Sequence, residues 1–181
     1  MTPTPTLDTW LEEERIVRKR LDAGAGPGVA SAHHIAGKNG LEVMQGLLSG
    51  ELPYASIAKT LDFLLVEVGP GTAIFQGSPG HSHLNPLGTV HGGWFATILD
   101  GAVGNAIHTL LPAGTGYTTL DLSVKMTRAI VPSPGARVRA IGKVIQVGRK
   151  IATAEGRIVG PDGKLYAHAT TTCLILNHSK N

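Results

Sequence analysis

Hydrophobic positions along the chain change period several times, and each change marks an element. From residue 7 to 21 the acidic run Glu12, Glu13 and Glu14 precedes Arg15, Arg18, Lys19 and Arg20. That is the charge order a helix macrodipole favours, with Gly24 as a stop, so a surface helix is predicted. Residues 23–40 are rich in Gly and Ala and read as a loop of low order. Leu41, Met44, Leu47 and Leu48 then recur at helical spacing until Gly50 and Pro53 end the pattern. These opening residues look like an appendage, a helical N-terminal extension over 1–57.

After Ile57 the period shortens. Leu61, Phe63 and Leu65 alternate towards Val68, Gly69-Pro70-Gly71 supplies a turn, and residues 72–76 form a short return run, which together predict a β-hairpin. Residues 81–89 form a loop that feeds the most apolar stretch of the chain, 94–111. Asp100, Asn105 and His108 interrupt that stretch, so it suits a buried helix over about 92–110 and not a membrane span. Four strand-like runs follow, at 117–128, 136–147, 151–159 and 164–176, with turns at Gly148-Arg149 and Pro161-Asp162-Gly163. No helical segment separates them, so parallel crossovers are excluded and an α+β meander follows. Its sheet must bury one face. The long helix is apolar nearly all round, so the sheet should wrap it, and Gly101 and Gly104 suggest that something packs close to the helix.

Composition narrows the classes. A chain of 181 residues that is 42% hydrophobic and 16% charged suits one globular domain beyond the extension, and 58–178 is assigned to it. Lys and Arg exceed Asp and Glu by only 16 to 13, without a basic block, which argues against nucleic-acid binding. The single cysteine, Cys173, excludes an intrachain disulfide and a cysteine-rich metal framework, and it lies in an apolar run where packing is its expected role. With no apolar leader before a cleavage site, a cytoplasmic location is expected.

The candidate chemistry is concentrated between Asn85 and Asp100. At a helix start, Gly92 and Gly93 would expose backbone N–H groups that favour an oxyanion or polarised carbonyl, and their lack of side chains would admit a carbonyl closely. The alternative is a loop that simply needs flexible residues. Asp100 sits two turns into the apolar helix beside Ile98, Leu99, Ala102 and Val103. A carboxylate there needs a reason: it either bonds a neighbouring strand or subunit, or it acts as a nucleophile or general base. Arg128, Arg149 and Lys150 stand at strand ends and turns, where they would meet phosphates or merely solvent. His33-His34 and His81-Ser82-His83 lack a companion ligand set at metal spacing, so no metal is expected. Gly24, Gly26 and Gly28 lack the strand and helix of a dinucleotide loop. Ser78, Ser82 and Ser123 lack a nucleophile elbow.

Asn85 with Gly88, the triplet His91-Gly92-Gly93, Asp100 nine residues after His91, the segment Thr118-Thr119-Leu120-Asp121-Leu122 and Gly148-Arg149 together resemble the PaaI-type hotdog thioesterases over roughly 58–176. The resemblance implies a hotdog fold, an antiparallel β-sheet wrapped around a long central helix. It also implies hydrolysis of an acyl-CoA thioester without metal or added cofactor. Gly92 would polarise the thioester carbonyl through its amide, and Asn85 would position the carbonyl or the water. Asp100, from a neighbouring protomer, would attack the carbonyl or activate water. Thr119 would orient the water or the carboxylate, and His91 would shape the loop and contact substrate. Gly93, Arg128, Gly148, Arg149 and Lys150 are the accompanying substrate-binding candidates. A site shared between protomers implies a homodimer or homotetramer. Strict alternation along the strand groups Thr119 with Asp121 and Ser123, opposite Leu120, Leu122 and Val124, so the role of Thr119 rests on the resemblance alone. Two rival readings share the fold: a non-catalytic acyl-CoA-binding or regulatory protein, and a hydratase or dehydratase.

Overall fold

A computed structural model describes residues 6–177 of the chain. The expected outer boundaries at Met1 and His178 therefore lie outside the described residues. Helix α1 (Leu7–Ala23) begins at Thr6, whose side chain accepts from the Thr9 amide. A one-turn helix α2 (Ala32–Ile35) interrupts the segment expected to be a loop of low order, which is also tied down by a bridge between Pro27 and Tyr54. Helix α3 (Gly40–Ser49) opens with a capping box between Asn39 and Glu42 and closes at Gly50 in the left-handed region, φ 81°. After the short α4 (Ser56–Thr60) come β1 (Phe63–Gly69) and β2 (Thr72–Gly77), the predicted hairpin. Helix α5 (Gly92–His108) is followed by β3 (Thr115–Met126), β4 (Val138–Val147), β5 (Ile151–Val159) and β6 (Leu165–Asn177).

The strands form one six-stranded antiparallel sheet in the order β1-β2-β4-β5-β6-β3. This corrects the simple meander. The last three strands are sequential neighbours as their tight turns require, but β3 pairs with β6 at the far edge and not with β4. Residues 127–137 carry the chain from that edge back to the centre, a connection too long to enforce hairpin pairing.

Helix α5 lies in the concave face of the sheet, with Ile98, Leu99, Ala102, Val103, Ala106 and Ile107 wholly inaccessible. The close approach expected from its glycines is achieved largely by the strands. A Cβ on Gly142 would lie 2.1 Å from the Ala102 carbonyl oxygen, and one on Gly156 would lie 2.7 Å from Val103. Gly104 contributes from the helix side, where a Cβ would reach the Tyr117 ring at 2.8 Å.

The N-terminal extension is an integral part of this core and not an appendage. Met44 of α3 is fully buried within the main hydrophobic cluster, and Val17 and Leu21 of α1 pack on Leu64, so β1 is buried on both faces. Polar contacts fix α1 as well. Glu14 accepts from Gln76, Arg18 and Arg137, while Arg139 bonds Glu13 and Gln76 and stands 4.4 Å over the Trp10 ring. Burial pushes the Glu14 carboxyl up, but hydrogen bonds from Arg137, Arg18 and Gln76 outweigh it and hold the group below its ordinary value. Among the described residues no helix is long and apolar enough to cross a membrane.

Candidate active site

Helix α5 supplies both halves of the candidate chemistry. His91 is its N-cap, and the imidazole Nδ1 accepts from the Gly93 amide at 2.9 Å. Gly93 therefore has its N–H already occupied, so the expected pair of free amides reduces to one. The Gly92 amide has no acceptor among the described residues. A Cβ at Gly92 would stand 3.1 Å from the Met126 sulfur, so glycine keeps this amide accessible. His91 shapes the helix entry through that cap and through its own amide, which donates to the His83 carbonyl at 2.8 Å.

Gly92 lines a cleft of about 320 Å³ together with Asn85, Thr89, Phe95, Met126 and Arg128. Asn85 organises the approach to the helix: its Oδ1 accepts from the Leu87 and Thr89 amides and its Nδ2 donates to Thr89 Oγ1 at 2.8 Å. Arg128 is exposed at the same cleft. Gly148, Arg149 and Lys150 gather at a separate surface depression at the β4–β5 turn. The residues singled out by sequence thus fall at more than one place in a single chain.

Asp100 lies elsewhere. Gly92 and Asp100 are separated by eight positions of one helix, roughly 12 Å along its axis at 1.5 Å per residue. Asp100 is half-buried and borders a cavity of about 350 Å³ whose remaining walls are mostly apolar. Thr119 Oγ1 donates to Asp100 Oδ1 at 3.0 Å. Strict alternation did not place them together, and the reason is a bulge: β3 pairs Thr119 with Cys173 and Asp121 with Thr172, leaving Leu120 as an extra residue. Tyr117 and Thr119 therefore share the helix-facing side with Leu122 and Val124.

Three polar neighbours of Asp100 were not singled out as site residues. Thr97, Asn105 and Tyr117 border the same cavity, and the Tyr117 hydroxyl donates to Asn105 Oδ1 at 3.5 Å, a long contact. Burial, then the nearby Asp100 charge, then Cys173 raise the Tyr117 hydroxyl well above its ordinary value. Their sequence signal is a stripe: Thr97, Asp100, Gly101, Gly104, Asn105 and His108 recur at three- and four-residue steps, so α5 is not apolar all round. Burial alone lowers His108, which favours its neutral form. Cys173 is fully buried, consistent with packing, and burial raises its thiol. Trp94 and Phe95 belong to the main core. Among the described residues, no three histidine, cysteine, aspartate or glutamate side chains converge to hold a metal.

The thioesterase superfamily is matched over residues 87–167, a span containing Gly92, Asp100 and Thr119. Solved structures agree on the fold. A phenylacetic acid degradation-related protein from Ralstonia eutropha is 28% identical, with a TM-score of 0.65 over 72% of this chain and 97% of its own. A single-residue variant of the phenylacetic acid degradation protein PaaI from Thermus thermophilus is also 28% identical, with a TM-score of 0.60 over 66% of this chain and 97% of its own. A thioesterase from Haemophilus influenzae shares the fold at 20% identity, with a TM-score of 0.63 over 69% and 85% of the two chains. No curated protein matches the chain.

Proposed function

We propose that the protein, which matches the thioesterase superfamily over residues 87–167 and shares its fold with PaaI-type proteins, hydrolyses an acyl-CoA thioester to a free acid and CoA. The observation that carries this reading is the Asp100 carboxylate, hydrogen-bonded by Thr119 and set beside a mostly apolar cavity. An acyl group fills such a cavity without leaving polar groups unpaired, and the carboxylate then stands at the polar end of the chain it has bound.

The chemistry divides between two ends of α5. Asp100 either attacks the thioester carbonyl carbon or removes a proton from the water that does. Negative charge develops on the carbonyl oxygen and is met by the Gly92 amide at the helix N-terminus, where the helix dipole adds to the donor. Collapse breaks the carbon–sulfur bond. Where water attacked, the thiolate takes up the proton that Asp100 removed; where Asp100 attacked, water then cleaves the acyl–Asp100 anhydride, releasing the acid and the free carboxylate, and a proton from that water goes to the thiolate. The net reaction is thioester plus water to acid plus thiol. Asn85 holds the loop that presents Gly92, Arg128 beside that cleft meets CoA phosphate, and Arg149 and Lys150 add positive charge at their turn.

The separation of Gly92 from Asp100 on one helix favours a site completed by a second copy, with Gly92 from one protomer and Asp100 from its partner. Strand β3 is an edge of the sheet, twelve residues long, and exposes Leu120 and Met126. Such an edge needs covering, which fits a homodimer or a larger assembly of dimers.

Product analysis tests the reaction. Acyl-CoAs that are short, medium, long, unsaturated and aromatic are incubated with the protein. Free thiol supports hydrolysis. An absorbance change at the acyl double bond without thiol would indicate a hydratase, and tight binding with neither would indicate a non-catalytic acyl-CoA-binding protein.

A further inference from the structure

The cavity beside Asp100 takes only five of its sixteen lining residues from the region that matches the superfamily. The match begins at residue 87, and from it come Thr97, Asp100, Asn105 and Tyr117, the polar rim. The apolar lining includes Met44 and Leu47 of α3, Tyr54, and the β1–β2 hairpin residues Phe63 and Phe75. The segment before the hotdog domain therefore supplies Met44, Leu47 and Tyr54 to the lining of the pocket.

The α3 part of that lining is fixed. The Gly40 amide donates to the Leu111 carbonyl at 2.9 Å, and a Cβ on Gly40 would fall 1.7 Å from the His108 carbonyl oxygen, so α3 is seated backbone-to-backbone on the end of α5. At its other end the Leu52 amide donates to the Gly46 carbonyl at 3.0 Å. Met44 has no exposed surface. A wall seated in this way measures length, because a longer chain must displace packed side chains. Asp100 is also the only charged residue lining the cavity among the described residues. An acyl group ending in a carboxylate would be buried there beside a like charge and without a cation.

We propose that α3 is the specificity wall of the site: Met44 and Leu47 set the longest acyl chain accepted, and the pocket admits neutral, apolar acyl groups. The reaction named here rests on the thioesterase reading; the binding of the chain does not.

The test compares kcat/KM for straight-chain acyl-CoAs from acetyl to palmitoyl, and for succinyl-CoA, in the native protein and in Met44→Ala, Met44→Leu and Leu47→Ala. The same proteins are titrated calorimetrically with non-hydrolysable S-alkyl-CoA thioethers of matching lengths. Met44→Ala and Leu47→Ala should move the optimum to longer chains, with preference for the longer chain rising about fourfold for each methylene newly accommodated. Met44→Leu keeps the volume and should keep the optimum. Succinyl-CoA should be disfavoured at least about tenfold against butyryl-CoA. Leu47 is only partly buried, so Leu47→Ala decides the matter if Met44→Ala does not fold. An unchanged length profile in the folded alanine variants, with hydrolysis intact, overturns the wall and leaves the thioesterase reading standing. If no thioester is hydrolysed the thioesterase reading fails, and the thioether affinities alone then decide: an unshifted length order overturns the wall.

Discussion

Thr119 and Asp100 are joined by a hydrogen bond of 3.0 Å that exists only because β3 bulges at Leu120. The bulge reverses the parity of the strand, turning Thr119 towards α5 while keeping Leu122 and Val124 in the core. Thr119 is a positioning residue on this view, holding the carboxylate in one orientation. Thr119→Val preserves shape and removes the donor. It should lower kcat about 10- to 100-fold with little change in KM, the range expected for a hydrogen bond to a charged group. Thr119→Ser should restore most of the loss. Equal activity in the valine variant would detach Thr119 from the mechanism.

The Gly92 amide can be deleted without disturbing the helix. Gly92 is the first residue of α5, and His91 before it has φ −63° and ψ 140°, the conformation a following proline requires. Gly92→Pro should fold with native circular dichroism and lose about 10²–10³ in kcat. Mixed and refolded with Asp100→Asn, it should recover about a quarter of native activity, because half of randomly paired dimers hold one intact site. No recovery would argue that a single chain supplies both groups.

The elements of the fold were legible wherever one physical cause dominated. Helical spacing marked Met44 and Leu47, the Gly69-Pro70-Gly71 turn marked the hairpin, and the apolar run marked α5. What alternation concealed was the bulge, since nothing local to Leu120 distinguishes it from a paired residue. The partner of β3 was also hidden, because a long connection leaves strand order to packing. In the site, Asp100 stood out against its apolar neighbours, whereas Tyr117 and Asn105 did not, because their meeting depends on how β3 crosses the helix. The extension looked like an appendage because its buried contacts are made with residues distant in sequence, such as Glu14 with Arg137.

Close packing of α5 on the sheet gives a stability prediction. Gly142→Ala places a methyl against the Ala102 carbonyl, part of the helix backbone, which cannot rotate away. The cost should be about 3 kcal/mol, or roughly 6–12 °C in Tm for a chain of this size. Thermal unfolding followed by circular dichroism checks it, and a shift within about 1 °C would contradict the packing described.

Docking of α1 should be acid-labile. The Glu14 carboxyl is held below its ordinary value of 4.5, so its contribution to stability is complete above that pH and is lost as pH falls through the lowered value. Trp10 fluorescence, reporting the site under Arg139, should change in that acid window in the native protein. In Glu14→Ala the transition from this group should be absent and stability at neutral pH lower by about 3 kcal/mol, since Arg137 and Gln76 lose their partner. An unchanged acid transition in the variant would assign it to another group.

Release of free thiol from acyl-CoA by the native protein, set beside that by Asp100→Asn, bears most directly on the central claim. The asparagine keeps the size of the side chain and its contact with Thr119 while removing the charge. The account predicts hydrolysis by the native protein and a fall of at least about 10²-fold in kcat for a variant that still folds and binds S-alkyl-CoA. Thiol release at the native rate from Asp100→Asn would contradict it.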